Sequence, residues 1–169
     1  SLQKAIRSLE IDRYGLESRR DRDGDAETGI ADIRQKISVP NWERLWYIAD
    51  AFRTGMTVDE VFSLSKIDPW FLHQIKQITD REKELTALGA RVLSNGKPAL
   101  DHPLRIAKEH GFSDRRIARL LSTTEDAVRK ARKELGIMPV FKKVDTCAAE
   151  FVAHTPYLYS TYEKPFFRV

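Results

Sequence analysis

The chain has 169 residues, 41% hydrophobic and 32% charged, with 29 cationic and 25 anionic side chains giving a formal net charge of +4. That length allows one or two small domains with cores of their own, and that composition excludes a disordered chain. A single cysteine, Cys147, excludes an internal disulfide and suits a reducing, cytoplasmic setting, while no apolar run reaches the ~20 residues of a membrane-crossing helix and no leader pattern opens the chain.

Leu2, Ile6 and Leu9 follow helical spacing from the first residues, with no initiator Met and no cap ahead of them. A helix entered partway fits a piece of a longer protein and a trimmed small protein equally well. Tyr14 to Gly29 is polar and charge-dense, with three glycines, and reads as a surface loop. Within it Asp21, Asp23 and Asp25 have the alternate spacing of a calcium loop, but the closing glutamate is missing and Gly24 falls too early.

From Pro40 the chain becomes regular. Asn41 can cap a helix whose apolar stripe is Trp42, Leu45, Ile48, Ala49 and Phe52, stopped by Gly55. Thr57 begins a short helix, with Glu60 completing a capping box and Val61, Phe62 and Leu64 as buried candidates. Asp68 before Pro69 is a third start. That helix is expected to turn Phe71, Leu72, Ile75, Ile78 and Leu85 inward and to run to Gly89.

A linker, Ser94-Asn95-Gly96-Lys97-Pro98, precedes the same grammar again. A helix from about Pro103 to His110 is stopped by Gly111. Ser113 caps a second with Ile117 and Leu120, and Thr124 a third with Val128, Ala131 and Leu135, stopped by Gly136. The two stretches align at an offset of 56 residues: Gly55 with Gly111, Thr57 with Ser113, Val61 with Ile117, Asp68 with Thr124, Leu72 with Val128. The expected fold is therefore all-α, two related small helical subdomains at about 40–93 and 98–140 arising from an internal duplication, with an irregular C-terminal segment.

Catalytic signatures are missing. There is no phosphate-cradling glycine loop and no G-x-S-x-G turn, and the 8 glycines are scattered as caps and turns. His73, His102, His110 and His154 are far apart and lack zinc spacing. Asp59 and Glu60 fit a helix first turn better than an acid/base pair, and Cys147 beside Ala148 and Ala149 reads as a small buried hydrophobe. No residue is assigned a catalytic, cofactor-binding or metal role. Ser113 to Gly136 does read as a helix-turn-helix ringed by Arg115, Arg116, Arg119, Arg129, Lys130, Arg132 and Lys133. A DNA-binding protein is the alternative reading, yet Glu125 and Asp126 stand where the second helix would meet the negative major groove.

Four further segments carry a resemblance. They are Val144-Asp145-Thr146-Cys147-Ala148-Ala149-Glu150-Phe151, Tyr157 through Glu163, Leu2 through Glu10 and Trp46 through Arg53, with Asp68 to Leu72 agreeing too. Together they resemble the central connecting, or oligomerisation, domain of the carbamoyl-phosphate synthase large chain. The resemblance implies that residues 1–12 are the tail of a preceding ATP-grasp synthetase half, 13–163 the helical connecting domain, and 164–169 a linker or a non-native tail. It implies a non-catalytic part of a cytoplasmic ligase that serves arginine and pyrimidine biosynthesis. The implied cofactors, ATP and magnesium or manganese, belong to the parent's synthetase halves. The implied partners are those halves, other large-chain copies and the small glutaminase chain, with neither membrane nor nucleic acid among them. Trp42, Trp46, Trp70 and Phe71 are the candidates for core or subunit interface, core being the expected place for most.

Overall fold

Capping residues and left-handed glycines divide this chain into short helices joined by tight turns. The computed structural model describes residues 1–18, 29–93, 101–146, 150–151 and 157–163, and its chain divides into two units, Ser1–Gly89 and Ala90–Val169. Among the described residues it is mostly helical, with one two-stranded antiparallel sheet.

In the first unit the helices are α1 (Leu2–Arg7), α2 (Ile30–Ser38), α3 (Arg44–Arg53), α4 (Val58–Ser65) and α5 (Pro69–Leu88). Asn41 does not cap α3 directly. Its Oδ1 accepts from the Glu43 N–H at 2.9 Å and closes a turn one step ahead of the helix. Ile48, Ala49 and Phe52 are buried as the spacing requires, but Trp42, outside the helix, is exposed. After α3, Gly55 takes φ +95°, and the Met56 N–H reaches back to the Ala51 carbonyl at 3.0 Å. A left-handed glycine there satisfies carbonyls that the ending helix leaves open. Arg44 binds two further helix ends, its guanidinium donating to the carbonyls of Ile37 on α2 and Ser65 on α4.

Thr57 and Glu60 form the full reciprocal capping box at the start of α4. The Glu60 carboxyl is held below its usual range by the Thr57 N–H and hydroxyl that donate to it. Asp68 accepts from the Trp70 N–H at 2.8 Å and Pro69 takes the first helical position, so α5 starts where the sequence indicates. Leu72, Ile75, Ile78 and Leu85 are buried along it. Phe71 corrects the expectation that it turns inward: it is 57% exposed. It lies about 100° round the helix from Leu72, and its ring meets Trp70 edge-on with centroids 4.9 Å apart.

The polar stretch beginning at Tyr14 is also different from its reading as a surface loop. Gly15, Leu16, Glu17 and Ser18 are buried, Leu16 completely. The Trp46 indole N–H donates to the Gly15 carbonyl at 3.1 Å, and Arg53 donates to the Leu16 carbonyl. These bonds satisfy backbone that a buried loop would otherwise leave orphaned, and burying Leu16 adds about 2 kcal/mol. Asp21, Asp23 and Asp25 lie outside the described residues, as do the 94–98 linker, Cys147, His154 and 164–169.

In the second unit the helices are α6 (Pro103–Glu109), α7 (Asp114–Leu120) and α8 (Glu125–Glu134). His102 caps α6 through its ring nitrogen, Ser113 caps α7 and Thr124 caps α8. Gly111, at φ +87°, turns the chain so that the Phe112 N–H reaches the Ala107 carbonyl at 3.1 Å. Leu104, Phe112, Ile117, Val128 and Ile137 fill the core.

The C-terminal segment is not wholly irregular. Strands β1 (Val140–Val144) and β2 (Tyr157–Thr161) pair antiparallel, with Val140 opposite Thr161 and Val144 opposite Tyr157. Branched and aromatic residues at 140, 141, 144, 157 and 159 suit a pleated strand.

Candidate interaction surface

The described residues contain no group of three or more His, Cys, Asp or Glu side chains able to hold a metal ion. The histidines are dispersed by role. His73 is exposed on α5, His102 is a buried helix cap, and the His110 ring nitrogen lies 2.9 Å from the Ile106 carbonyl. Asp59 and Glu60 sit in the first turn of α4, where their charge meets the helix N-terminus.

Charged side chains are instead used internally. In the first unit Arg53 pairs with Asp50 at 2.7 Å and with Glu82 at 2.5 Å. Burial alone lowers the Arg53 pKa, but the adjacent Glu82 and Asp50 outweigh it and the net shift is upward. In the second unit Asp114, on α7, takes 2.7 Å hydrogen bonds from Lys108 on α6 and Arg132 on α8. Burial raises the Asp114 pKa and those two cations lower it, and the cations win. Lys108 also donates to the Phe112 carbonyl and lies 4.9 Å from the Tyr162 ring centre. Burial raises the Tyr162 pKa. Lys142 and Glu163 form a further ion pair beside the strands.

This internal use of charge bears on the helix-turn-helix alternative. Arg116 is buried and Arg132 is committed to Asp114, so two of its seven surrounding cations face the fold. Glu125 and Asp126 stand exposed at the start of α8, the position that would enter a groove.

The four aromatic candidates separate cleanly. Trp46 is 2% exposed, beneath the Arg13 guanidinium at 4.8 Å from its ring centre. Trp42, at 67% exposure, meets Trp46 edge-on with ring centres 6.1 Å apart. Trp70, at 62%, and Phe71 stand together at the start of α5. Core placement thus holds for one of the four rather than for most. Three large aromatics on the surface are candidates for binding a partner, since such side chains dominate interface energetics. A second exposed apolar group, Phe141, Tyr157 and Leu158, lies on the strands and was not singled out from sequence. The adjacent charges of Lys142 and Lys143, which break any apolar alternation over 140–144, concealed it.

Comparison with known proteins gives this surface its context. The family model for the carbamoyl-phosphate synthetase large chain, oligomerisation domain, matches residues 1–136. The chain belongs to this family. The N-terminal section of the carbamoyl phosphate synthase large chain from Aquifex aeolicus is 48% identical over all of the chain. The large chains from Xanthomonas axonopodis and Archaeoglobus fulgidus are 49% and 48% identical over 96% of it. The chain spans 28% of the Aquifex protein and 14–15% of the other two. As an oligomerisation domain of a ligase's large chain, it is similar throughout to proteins far longer than itself. The comparisons give the DNA-binding alternative no support. Among the described residues, no helix is long and apolar enough to cross a membrane.

Proposed function

We propose that this oligomerisation domain is a non-catalytic connector: it links the two ATP-dependent synthetase halves of its parent large chain and supplies contacts between copies. The observation that carries this reading is the match of an oligomerisation-domain model to 136 consecutive residues. Arg53, paired with Asp50 and Glu82, and Asp114, paired with Lys108 and Arg132, each serve to hold helices of their own unit, which supports a structural role for these charges. Residues 1–12 would end the preceding half and 13–163 form the connector, with 164–169 a linker or tail. ATP and magnesium or manganese would serve the parent's halves, with no residue of this chain assigned to them. The small glutaminase chain is a partner of the parent, working in the cytoplasm.

We also infer that the two helical stretches descend from one duplicated unit. Support comes from backbone features that recur 56 residues apart. Gly55 and Gly111 are both left-handed, Lys66 and Ser122 take φ +57° and +53°, and Thr57 and Ser113 cap the same turn.

Sedimentation velocity tests the connector reading. The chain should associate as its concentration rises through the micromolar range, with little loss in moderate salt because apolar burial is scarcely screened. A strict monomer at high concentration would count against subunit contacts.

A further inference from the structure

We propose that the corner between α4 and α5, centred on Trp70 and Phe71, is the surface through which two copies of this chain meet. The inference rests on the self-association proposed above and names its contact. Trp70 and Phe71 stay exposed although Leu72, the next residue of α5, and Ile75, a turn beyond Phe71, are buried. A large aromatic carries about 200 Å² of surface, so at 62% and 57% exposure the pair leaves on the order of 240 Å² bare. A standard interface takes about 800 Å² from each partner, organised round a few central aromatic anchors. The pair therefore supplies the centre of such a contact, though not its whole extent.

The anchors are also held ready. Asp68 caps the helix at the Trp70 N–H, Pro69 fixes its first turn, and the two rings brace each other edge-on. A pre-set anchor loses little freedom on binding. On α4, Phe62 is 39% exposed, with the Lys66 ammonium 5.9 Å from its ring centre.

The charges at this corner select a second copy as the occupant. Lys66 and Asp68 border the aromatics, one cation and one anion two residues apart. A two-fold contact places a patch against itself and so needs both signs at its rim, Lys66 of one copy facing Asp68 of the other.

Sedimentation velocity on the chain and three variants tests the proposal. The double variant Trp70→Ser with Phe71→Ser should raise the dissociation constant at least about tenfold. Trp42→Ser, on the exposed ring outside the corner, should change it less than about threefold. The single variant Trp70→Arg repeats the test with the neighbouring ring intact. All three sites are exposed, so the thermal midpoints followed by circular dichroism should stay near that of the unaltered chain. If the unaltered chain never associates, the subunit contacts of the proposed function are overturned together with this corner. If it associates and the corner variants bind equally well while melting normally, only the placement at this corner is overturned, and another part of the parent chain becomes its occupant.

Discussion

The helices around Gly55 and those around Gly111 use the same backbone instructions with different polar side chains. In each, a left-handed glycine lets an N–H reach back to an alanine carbonyl, Met56 to Ala51 and Phe112 to Ala107. In each, a hydroxyl caps the next helix, and fully buried residues follow at matching places, Val61 with Ile117 and Leu72 with Val128. The ion clusters do not match. Arg53, Asp50 and Glu82 correspond to Glu109, Ile106 and Met138, while Lys108, Asp114 and Arg132 correspond to Phe52, Val58 and Lys76. Caps and core positions specify the turn of the chain; buried charge is then free to be rebuilt in each unit.

The sharpest way to break this comparison is to remove a charge from one cluster alone. Arg53→Met leaves Asp50 and Glu82 facing each other partly buried, and should destabilise the chain by roughly 3 kcal/mol in urea unfolding. Hydrogen exchange should show the loss in Ser1–Gly89, whereas equal losses in both units would contradict independent clusters.

The glycines sharpen the shared part. Gly55→Ala and Gly111→Ala force a side chain into φ +95° and +87°, and each should cost about 1–2 kcal/mol. Similar values are expected for the two, and a difference beyond about 1 kcal/mol would undo the equivalence of the turns.

Thr57→Ala and Ser113→Ala should each cost about 1 kcal/mol. Thr57 should lose slightly more, because Glu60 returns its bond while Arg116, at the matching position, cannot.

The smallest difference concerns acid. The folded-state pKa of Asp114 is depressed, so its contribution is fully present above the unfolded value of about 3.8 and is lost as pH falls through the lower folded value. Unfolding monitored between pH 5 and pH 2 should show Ala90–Val169 weakening in this way. Asp114→Asn should remove that part of the acid dependence, and an unchanged curve would dismiss the role of the carboxylate.

The sequence made the caps and stops legible because each is a local event. Thr57 with Glu60, Asp68 with Pro69, and Gly111 with Ser113 act within a few residues. The buried run at Gly15 to Ser18 was not legible, because its bonds come from Trp46 and Arg53, 31 and 37 residues away. The strand pair escaped for the same reason, since Val144 meets Tyr157 across a long connection. At the candidate surface, composition identified Trp42, Trp46, Trp70 and Phe71 as important but could not sort them. A partner for Phe71 in Trp70, and a lid for Trp46 in Arg13, are facts of packing rather than of spacing.

The placement of the tryptophans has an optical consequence. All three lie between residues 42 and 70, within the first unit, and only Trp46 is shielded from water. Indole fluorescence therefore watches Ser1–Gly89 and is blind to Ala90–Val169, whereas circular dichroism sees the helices of both. Coincident melting by the two signals would mean the units open together; a dichroism change that outlasts or precedes the fluorescence change would resolve them as separate events.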